Sequence, residues 1–294
     1  MLRMTEIISL KDVYSFQLGF ATPYFFDISF EDWRKSFEND IDGEGRKLFK
    51  EWKVKVVYDG NELVGFVQYG KTAFGFDDRG RISKEVSYPI IRNLYFLKGR
   101  EDAGLLLLNE TLESFKLEER VYAFFHYFGM SCFARHGKLF EQHTHIENLL
   151  TKNGFKIEHE NVYYSSVLND SENSHVVIVA KDLTKGNQQS IAFKIDDVQV
   201  GGCELHYLND ATAYLRWIYV NSDIVGQGIG TKCMNALKCF LYKKGIRRFD
   251  TDTAVNNVVA QHYYEKNNFN REGITRSYYF TNVMQCRLLN DANT

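Results

Sequence analysis

VGQGIGTK (Val225–Lys232) sets three glycines in alternation with larger residues, between the β-rich run TAYLRWIYV (Thr212–Val220) and an apolar helical pattern. Glycine loses more conformational freedom on folding than any other residue, so such a cluster needs a backbone reason. Downstream, Ile229, Cys233, Met234, Leu237, Phe240 and Leu241 follow helical spacing, and Lys232, Lys238, Lys243 and Lys244 fall mostly between them. That stripe reads as the core face of a helix and carries no chemistry of its own. A glycine turn between strand and helix is a candidate anion cradle: backbone N–H groups can approach closely, and the helix N-terminus adds unpaired donors and a favourable dipole. A Walker loop needs G-x-x-x-x-G-K-[ST], which Val225 and the order Gly230-Thr231-Lys232 break. The dinucleotide fingerprint G-x-G-x-x-G fails on the spacing of Gly226, Gly228 and Gly230. An acyl-carrier pyrophosphate loop and a plain turn into a helix both survive.

The chain has 294 residues, 44% hydrophobic and 25% charged, the makeup of a soluble globular protein with one large or two ordinary domains. A formal net charge of -2 gives no global field for nucleic acid. The five cysteines (Cys132, Cys203, Cys233, Cys239 and Cys286) are odd in number and include no C-x-x-C. No disulfide framework is expected, and a reducing, cytoplasmic setting fits. MLRMTEIISLKD lacks the apolar run of a signal peptide, and nothing approaches the ~18 apolar residues of a membrane span.

Asp59-Gly60-Asn61, between two β-rich runs, signals a hairpin. Strands are expected at TEIISL, YPIIRNLYFL and VYAFFHYF, with a strand pair near VYYSSVL. Helices are expected around FEDWRKSFEND, EGRKLFKEW, EDAGLLLLNETLESF and THIENLLTKNG. The polar run NDSENS (Asn169–Ser174) then separates a second set and marks a domain boundary. In that set the strands HVVIVAKDL, SIAFKID, VQVGGCELHYL and TAYLRWIYV precede the glycine turn. A helix to about Lys244, the strand RRFDTDT, a helix Asn257–Lys266 and strands to about Leu288 follow it. The halves echo each other. IIRNLYF (Ile90–Phe96) resembles YLRWIYV (Tyr214–Val220), with 216 − 92 = 124 and 219 − 95 = 124, and Gly104 and Gly228 keep that offset. TKNGF (Thr151–Phe155) resembles EKNNF (Glu265–Phe269) at an offset of 265 − 151 = 114. Matches in the same order favour an internal duplication.

The chain at this point resembles the GCN5-related N-acetyltransferase (GNAT) superfamily. Its motif [QR]-x-x-G-x-[GA] is matched by VGQGIG at Gly228 and Gly230, with Val225 where Gln or Arg is usual. A later motif, N-x-x-A-x-x-x-Y-E-K-x-G-F, is matched by NVVAQHYYEKNNF at Asn257, Ala260, Tyr264, Glu265, Lys266 and Phe269, with Asn268 in place of Gly. The likeness is clear over about residues 175 to 288 and fainter over 1 to 168.

The resemblance implies an α/β (mixed α+β) fold of two tandem GNAT-like lobes, each a mixed, mainly antiparallel sheet flanked by helices. It implies an acetyltransferase with acetyl-CoA as co-substrate, an amine-bearing acceptor and no metal. By carry-over, Ile218, Tyr219 and Val220 would bond the pantetheine, and Val225, Gly226, Gln227, Gly228, Ile229, Gly230 and Thr231 would surround the pyrophosphate. Asn257 would fix the arm, and Tyr264 would stand near the sulfur as general acid, unless it is simply a packed helix tyrosine. The family's frequent base position, eleven residues before Val225, holds Tyr214. Glu204, His206, Asp250 and Asp252 remain as candidates, with Glu204 first.

In residues 1–168, Leu106 stands where Gly230 does and Leu150 where Tyr264 does. This half is expected to be a degenerate GNAT-like lobe with an acceptor-site or structural role, since only about six residues, Thr184 to Gln189, occupy the place of the helices that usually wall the acceptor site. Residues 169–294 are expected to be the lobe that binds acyl-CoA. Cys132, His136, His143 and His145 fit no standard zinc spacing, so a histidine-bearing loop is expected there. A small amine, an antibiotic, an amino acid, a peptide N-terminus and a lysine all remain open as acceptor. Neither nucleic acid nor membrane is expected as a partner. A non-catalytic acyl-CoA sensor and an aminoacyl-transferring relative are the alternatives, the latter disfavoured by the intact loop glycines.

Overall fold

A turn at Gly60, with φ +59°, makes the expected hairpin, and the strands on either side of it extend for eleven residues each. In the computed structural model, residues 1–282 are described apart from 8, 21, 23–27, 40, 42–44, 131–136, 171–174 and 184–186. The chain divides into two compact units, 1–160 with the residues from 275 onward, and 161–274. The boundary expected in Asn169–Ser174, of which 171–174 lie outside the described residues, is corrected. The division falls inside a strand, because residues 161–167 are hydrogen-bonded into the second unit's sheet.

The first unit runs β1 (Leu2–Glu6), α1 (Leu10–Leu18), α2 (Phe30–Asn39), β2 (Phe49–Asp59), β3 (Glu62–Thr72), the small pair β4 (Gly75–Phe76) and β5 (Ile82–Ser83), β6 (Pro89–Phe96), α3 (Glu101–Ser114), β7 (Arg120–Ala123), β8 (Leu139–Phe140), α4 (Thr144–Lys152) and the start of β9 (Lys156–Val167). Its sheet has the order β1-β2-β3-β6-β7, followed by residues 278–281 of the last strand. The pairing is antiparallel except between β6 and β7. Three expectations change here. The run TEIISL ends its strand at Glu6, since Ser9 caps α1 by accepting from the Asp12 N–H at 3.3 Å. Phe49–Trp52 start β2 instead of a helix, because Phe49, Glu51 and Trp52 pair with β3. The strand in VYAFFHYF stops at Ala123: Phe124 turns to φ +54° and His126–Phe128 form a single 3₁₀ turn.

The second unit holds β9 from Asn161, β10 (Val177–Asp182), β11 (Gln188–Ile195), β12 (Val198–Asn209), β13 (Thr212–Val220), α5 (Ile229–Lys243), β14 (Arg248–Ala254), α6 (Val258–Lys266) and the start of β15 (Asn270–Thr281). The expected strand pair at VYYSSVL is one continuous strand, β9, and the chain expected to reach Leu288 as strand is described only to Asn282. The order is β9-β14-β13-β12-β11-β10, antiparallel except for β13 with β14. Successive strand residues face opposite sides. Val162, Tyr164, Cys203, Leu205, Ala213, Leu215 and Phe249 therefore share a core with Met234, Leu237 and Leu241 of α5 and Tyr264 of α6. At roughly 1.5–3 kcal/mol per fully buried large side chain, this one face anchors both helices.

Two irregularities shape the second unit. Leu205 pairs with Leu215, but Glu204 pairs with Trp217, so Arg216 is an extra residue in β13. The parallel ladder of β13 with β14 ends at Leu215 and Thr251, although β13 runs on to Val220 and β14 to Ala254. The two strands part there. The first unit has the same pair of features. Arg92 is the extra residue between Ile91 and Asn93, and the parallel ladder ends at Ile91 and Ala123. The offset, 215 − 91 = 124, is the one seen in the sequence.

Candidate functional site

Where β13 and β14 part, a cleft of about 500 Å³ opens. Ile218, Tyr219 and Val220 form one wall, Val225, Gly226, Gly228, Gly230 and Thr231 the end, and Asn257, Val259, Ala260, His262, Tyr263, Tyr264 and Lys266 the other wall. The local sequence explains the shape. Gly228 is the N-cap of α5 at φ +77°, a left-handed conformation that costs an L side chain roughly 1–2 kcal/mol. A Cβ on Gly230 would stand 3.2 Å from the Tyr263 ring, and the Tyr263 hydroxyl donates to the Gly230 carbonyl at 2.8 Å. This packs α6 against the first turn of α5 and leaves the cleft between them. The first α5 turn carries no acidic side chain, so its unpaired N–H groups face the cleft end with no carboxylate of that turn to compete. Asn257 is the N-cap of α6, its side chain accepting from the Ala260 N–H at 3.2 Å.

Tyr264 is 6% exposed and leans on Tyr164 and Phe269 at ring distances of 5.7 and 5.5 Å. Burial raises its pKa above the ordinary phenol value; a hydrogen bond with Thr251 works against that rise, and the Asp252 carboxylate adds to it. The phenol therefore keeps its proton at neutral pH. Burial also holds the Cys203 thiol far above its usual range and the Cys233 thiol at about 11, so neither is a ready nucleophile.

Of the residues singled out in the sequence, Ile218, Tyr219, Val220, Val225, Gly226, Gly228, Gly230, Thr231, Asn257 and Tyr264 all line this cleft. Gln227 turns back, its amide donating to the Asp223 carbonyl at 3.4 Å, and the Ile229 side chain packs on the core. Glu204 is not on the lining: its carboxylate accepts from the Arg216 guanidinium and from Trp217 Nε1, the latter at 3.0 Å. His206 is 9% exposed and its Nε2 meets the Asn187 amide at 2.8 Å. Asp250 is fully buried against Arg248 and Tyr163, and burial raises its carboxyl to about 6. Sequence reasoning missed Tyr263, His262 and Lys266; the signal for Tyr263 was its place beside Tyr264 on a helix facing the glycines. In the first unit, Cys132 and His136 lie outside the described residues. His143 is buried, which lowers its pKa to about 4, and His145 Nε2 meets the Phe96 carbonyl at 2.9 Å. Among the described residues, no three His, Cys, Asp or Glu are grouped to hold a metal, and no helix is long and apolar enough to cross a membrane.

Residues 156–269 match the Acetyltransferase (GNAT) family. No curated protein matches the chain. Among solved structures, a tandem GNAT protein from the clavulanic acid biosynthesis pathway aligns over 96% of this chain and 99% of its own, with a TM-score of 0.64 and 11% identity. A GCN5-related glucosamine N-acetyltransferase region of a fungal multi-domain GH3 β-N-acetylglucosaminidase aligns over 95% of this chain and 38% of that one, at 0.60 and 11%. A GCN5-related N-acetyltransferase from Sphaerobacter thermophilus aligns over 95% of both chains, at 0.57 and 9%. At these identities the likeness is one of fold: the chain has a mixed α/β arrangement of sheet and flanking helices like that of those GNAT proteins.

Proposed function

We propose that the protein is an N-acetyltransferase that moves the acetyl group of acetyl-CoA onto a primary amine by direct attack on the thioester, with the coenzyme held in the second unit. The observation that carries this reading is the convergence on one cleft of parted strands, a left-handed glycine turn at a helix N-terminus free of acidic side chains, and a buried phenol. The strand edge Ile218–Val220 offers peptide groups to an extended amide-bearing arm. The loop Val225–Thr231 offers N–H donors to a pyrophosphate, and His262 and Lys266 line the same cleft. Asn257 holds the start of α6, and Tyr264 supplies a proton to the departing thiolate, whose own pKa is about 8.5. No covalent enzyme intermediate is needed, in keeping with the buried thiols.

The first unit, on this reading, is a GNAT-like lobe that no longer takes coenzyme and serves a structural or acceptor-binding role. The repeated bulge and ladder end at an offset of 124 support a tandem origin, as does the fold shared with a protein described as tandem. Glucosamine, named for the fungal region, belongs among the amines to test. A second reading, a non-catalytic acyl-CoA sensor, draws on the engagement of Glu204 by Arg216 and Trp217. Calorimetry with CoA and acetyl-CoA on the full chain, followed by thiol release across an amine panel, decides. Binding with turnover is expected, binding without turnover selects the sensor, and the absence of binding refutes both.

A further inference from the structure

One face of the central strand is roofed in the first unit and bare in the second. At the offset of 124, Trp217 and Tyr219 of β13 correspond to Asn93 and Tyr95 of β6, with 217 − 93 = 124 and 219 − 95 = 124. In the first unit Asn93 and Tyr95 are buried under α1 and α2. Gln17 of α1 donates to Asn93 Oδ1 at 3.2 Å and accepts from Trp33 Nε1 of α2 at 2.8 Å, and the Phe20 ring, just past α1, lies 5.0 Å from that of Tyr95. In the second unit α5 and α6 both pack on the face that Ile218 joins. Strand alternation turns Trp217 and Tyr219 to the other face, and they are 42% and 44% exposed.

The two rings are held as a platform. Their centroids are 5.8 Å apart and their planes meet at 32°. Trp217 Nε1 donates to Glu204 Oε2 at 3.0 Å, and the Tyr219 hydroxyl accepts from the Gln199 amide at 3.1 Å, so each ring is fixed at its rim. The Tyr219 ring lies along β12 at Gly202, where a Cβ would stand 3.1 Å from it. Tyr219 lines the cleft and Trp217 does not, so the platform runs from the cleft wall onto the bare face. Adjacent large rings left in water mark a contact surface. The chemistry at their edges says what it contacts. Glu204 spends two of about four carboxylate acceptor sites, on Trp217 and Arg216. The Arg216 guanidinium donates to Glu204 through Nη1, and its Nε is buried without a partner.

Aromatic faces with a carboxylate, a guanidinium and an amide at their edges match a ligand that is apolar across a flat face and hydroxylated around its rim. A pyranose ring has that form. A flat hydrocarbon amine would cover the rings and leave Glu204 and Arg216 desolvated without bonds. A lysine side chain or a polyamine has no face to lay on two rings. We infer that Trp217 and Tyr219 seat the acceptor and that the acceptor is an amino sugar, with its ring on the platform, its hydroxyls on Glu204, Arg216 and Gln199, and its amine toward the parted strands. The assignment rests on the acetyl-transfer reading above. Trp217 determines specificity and takes no part in bond making. Glu204, on this account, recognises the acceptor's hydroxyls.

The test uses the full chain, with glucosamine, cyclohexylamine and N-α-acetyllysine as amine probes. Calorimetry gives the affinity for CoA and then for each amine on the CoA-saturated protein. Tryptophan emission follows the platform, and thiol release from acetyl-CoA gives kcat and KM. Glucosamine is expected to bind and turn over in preference to the other two and to change the emission. Trp217→Ala should raise its KM by about 5- to 10-fold, with kcat within about threefold and CoA affinity within about twofold. Trp217→Phe should keep most of the affinity and lose the emission change. Glu204→Gln should raise the KM for glucosamine and leave that for cyclohexylamine unaltered, a split that a loss of folding would not give. An unaltered glucosamine KM in Trp217→Ala overturns the inference, as does preference for cyclohexylamine or N-α-acetyllysine. So does a concentration-dependent dimer that Trp217→Ala abolishes, which would make the platform an interface between copies. CoA binding without glucosamine binding overturns the platform and leaves the coenzyme reading intact. Binding of both with no turnover refutes the acetyl-transfer reading and the acceptor role together. Failure of the unaltered protein to bind CoA refutes the coenzyme reading, and this assignment with it.

Discussion

Gly228→Ala isolates the backbone contribution of the α5 N-terminus to coenzyme binding. Gly228 sits at φ +77°, and a Cβ built there meets nothing within 4 Å, so the substitution adds no clash and acts through conformation alone. A left-handed alanine costs roughly 1–2 kcal/mol. The free protein relieves that strain by swinging the exposed loop to negative φ, which turns the Gly228–Thr231 N–H groups off the cleft. Coenzyme binding must then restore the left-handed turn, so its affinity falls by the same energy, about 5- to 30-fold at 25 °C. Gly99 is the matching control. It lies at φ +86° with equally open surroundings, just before α3 of the first unit. Gly99→Ala should lower stability by a similar roughly 1 kcal/mol in denaturant titrations yet leave CoA affinity unchanged. Calorimetric titration of CoA into both variants reads the difference. Wild-type affinity in Gly228→Ala, or an equal loss in Gly99→Ala, would show that the α5 turn is not what holds the coenzyme.

Tyr264→Phe should lower thiol release by about 10²- to 10⁴-fold while leaving CoA affinity within about twofold; unchanged turnover would return Tyr264 to a packing role. Val225 is 67% exposed on the cleft lining, so Val225→Arg should strengthen CoA binding by about 3- to 10-fold at low salt, with the gain shrinking as salt is added. A gain that ignores salt would contradict a phosphate contact. Asp250 has a carboxyl raised from 3.8 to about 6 by burial, so its charge opposes folding. Its contribution is most favourable below pH 4 and is lost as pH rises through 6, by about 3 kcal/mol in all. The stability of Asp250→Asn relative to the unaltered protein, followed in urea from pH 4 to 7, should therefore rise with pH, and a flat difference would refute the raised pKa.

The second unit was legible because its determinants are local. Strand alternation, the helical stripe after Gly228 and the paired loop and α6 motifs each state their structure within about ten residues, and the elements from β10 to α6 fall where those signals put them. The expected boundary was not legible, because strand β9 carries no mark of which sheet it will join. The polar turn after it is a real break in pattern, yet Val162, Tyr164 and Leu168 before that turn belong to the α5 core, and Tyr164 and Ser165 bond to Glu265 and Glu272. A fragment cut at residue 170 would lose that strand and expose β14, so it is a poor probe of what the second unit does alone. Glu204 ranked first among the bases on strand position alone. Its capture by Arg216 depends on the β13 bulge, a register feature that alternation rules do not contain. Asp252 was visible as a residue, but its pairing with Tyr214 spans 38 positions and two strands, and no spacing rule links them.

The two units share the backbone opening and differ at the helix N-terminus that follows it. Both have an extra arginine at the same point of a central strand, and both end their parallel ladder one residue earlier. The backbone opening by itself therefore does not distinguish a ligand site; its combination with the glycine turn and the buried phenol does. At this point of the first unit Arg92 is buried and donates to the carbonyls of Ser36, Phe128 and Gly129, while Asn93, Gln68, Gln17 and Trp33 form a hydrogen-bonded chain. The α3 N-terminus differs as well. Its first turn carries Glu101 and Asp102, and Asp102 accepts from the Ala103 N–H at 2.9 Å, so a carboxylate already occupies the place where an anion would profit from the helix dipole. At α5 the first turn has no acid, and the two preceding glycines take positive φ. At the offset of 124, Gly226 and Gly230 of the second unit correspond to Asp102 and Leu106 of the first, so on the reading proposed above the first unit's crossing would disfavour a pyrophosphate that the second unit's would accept.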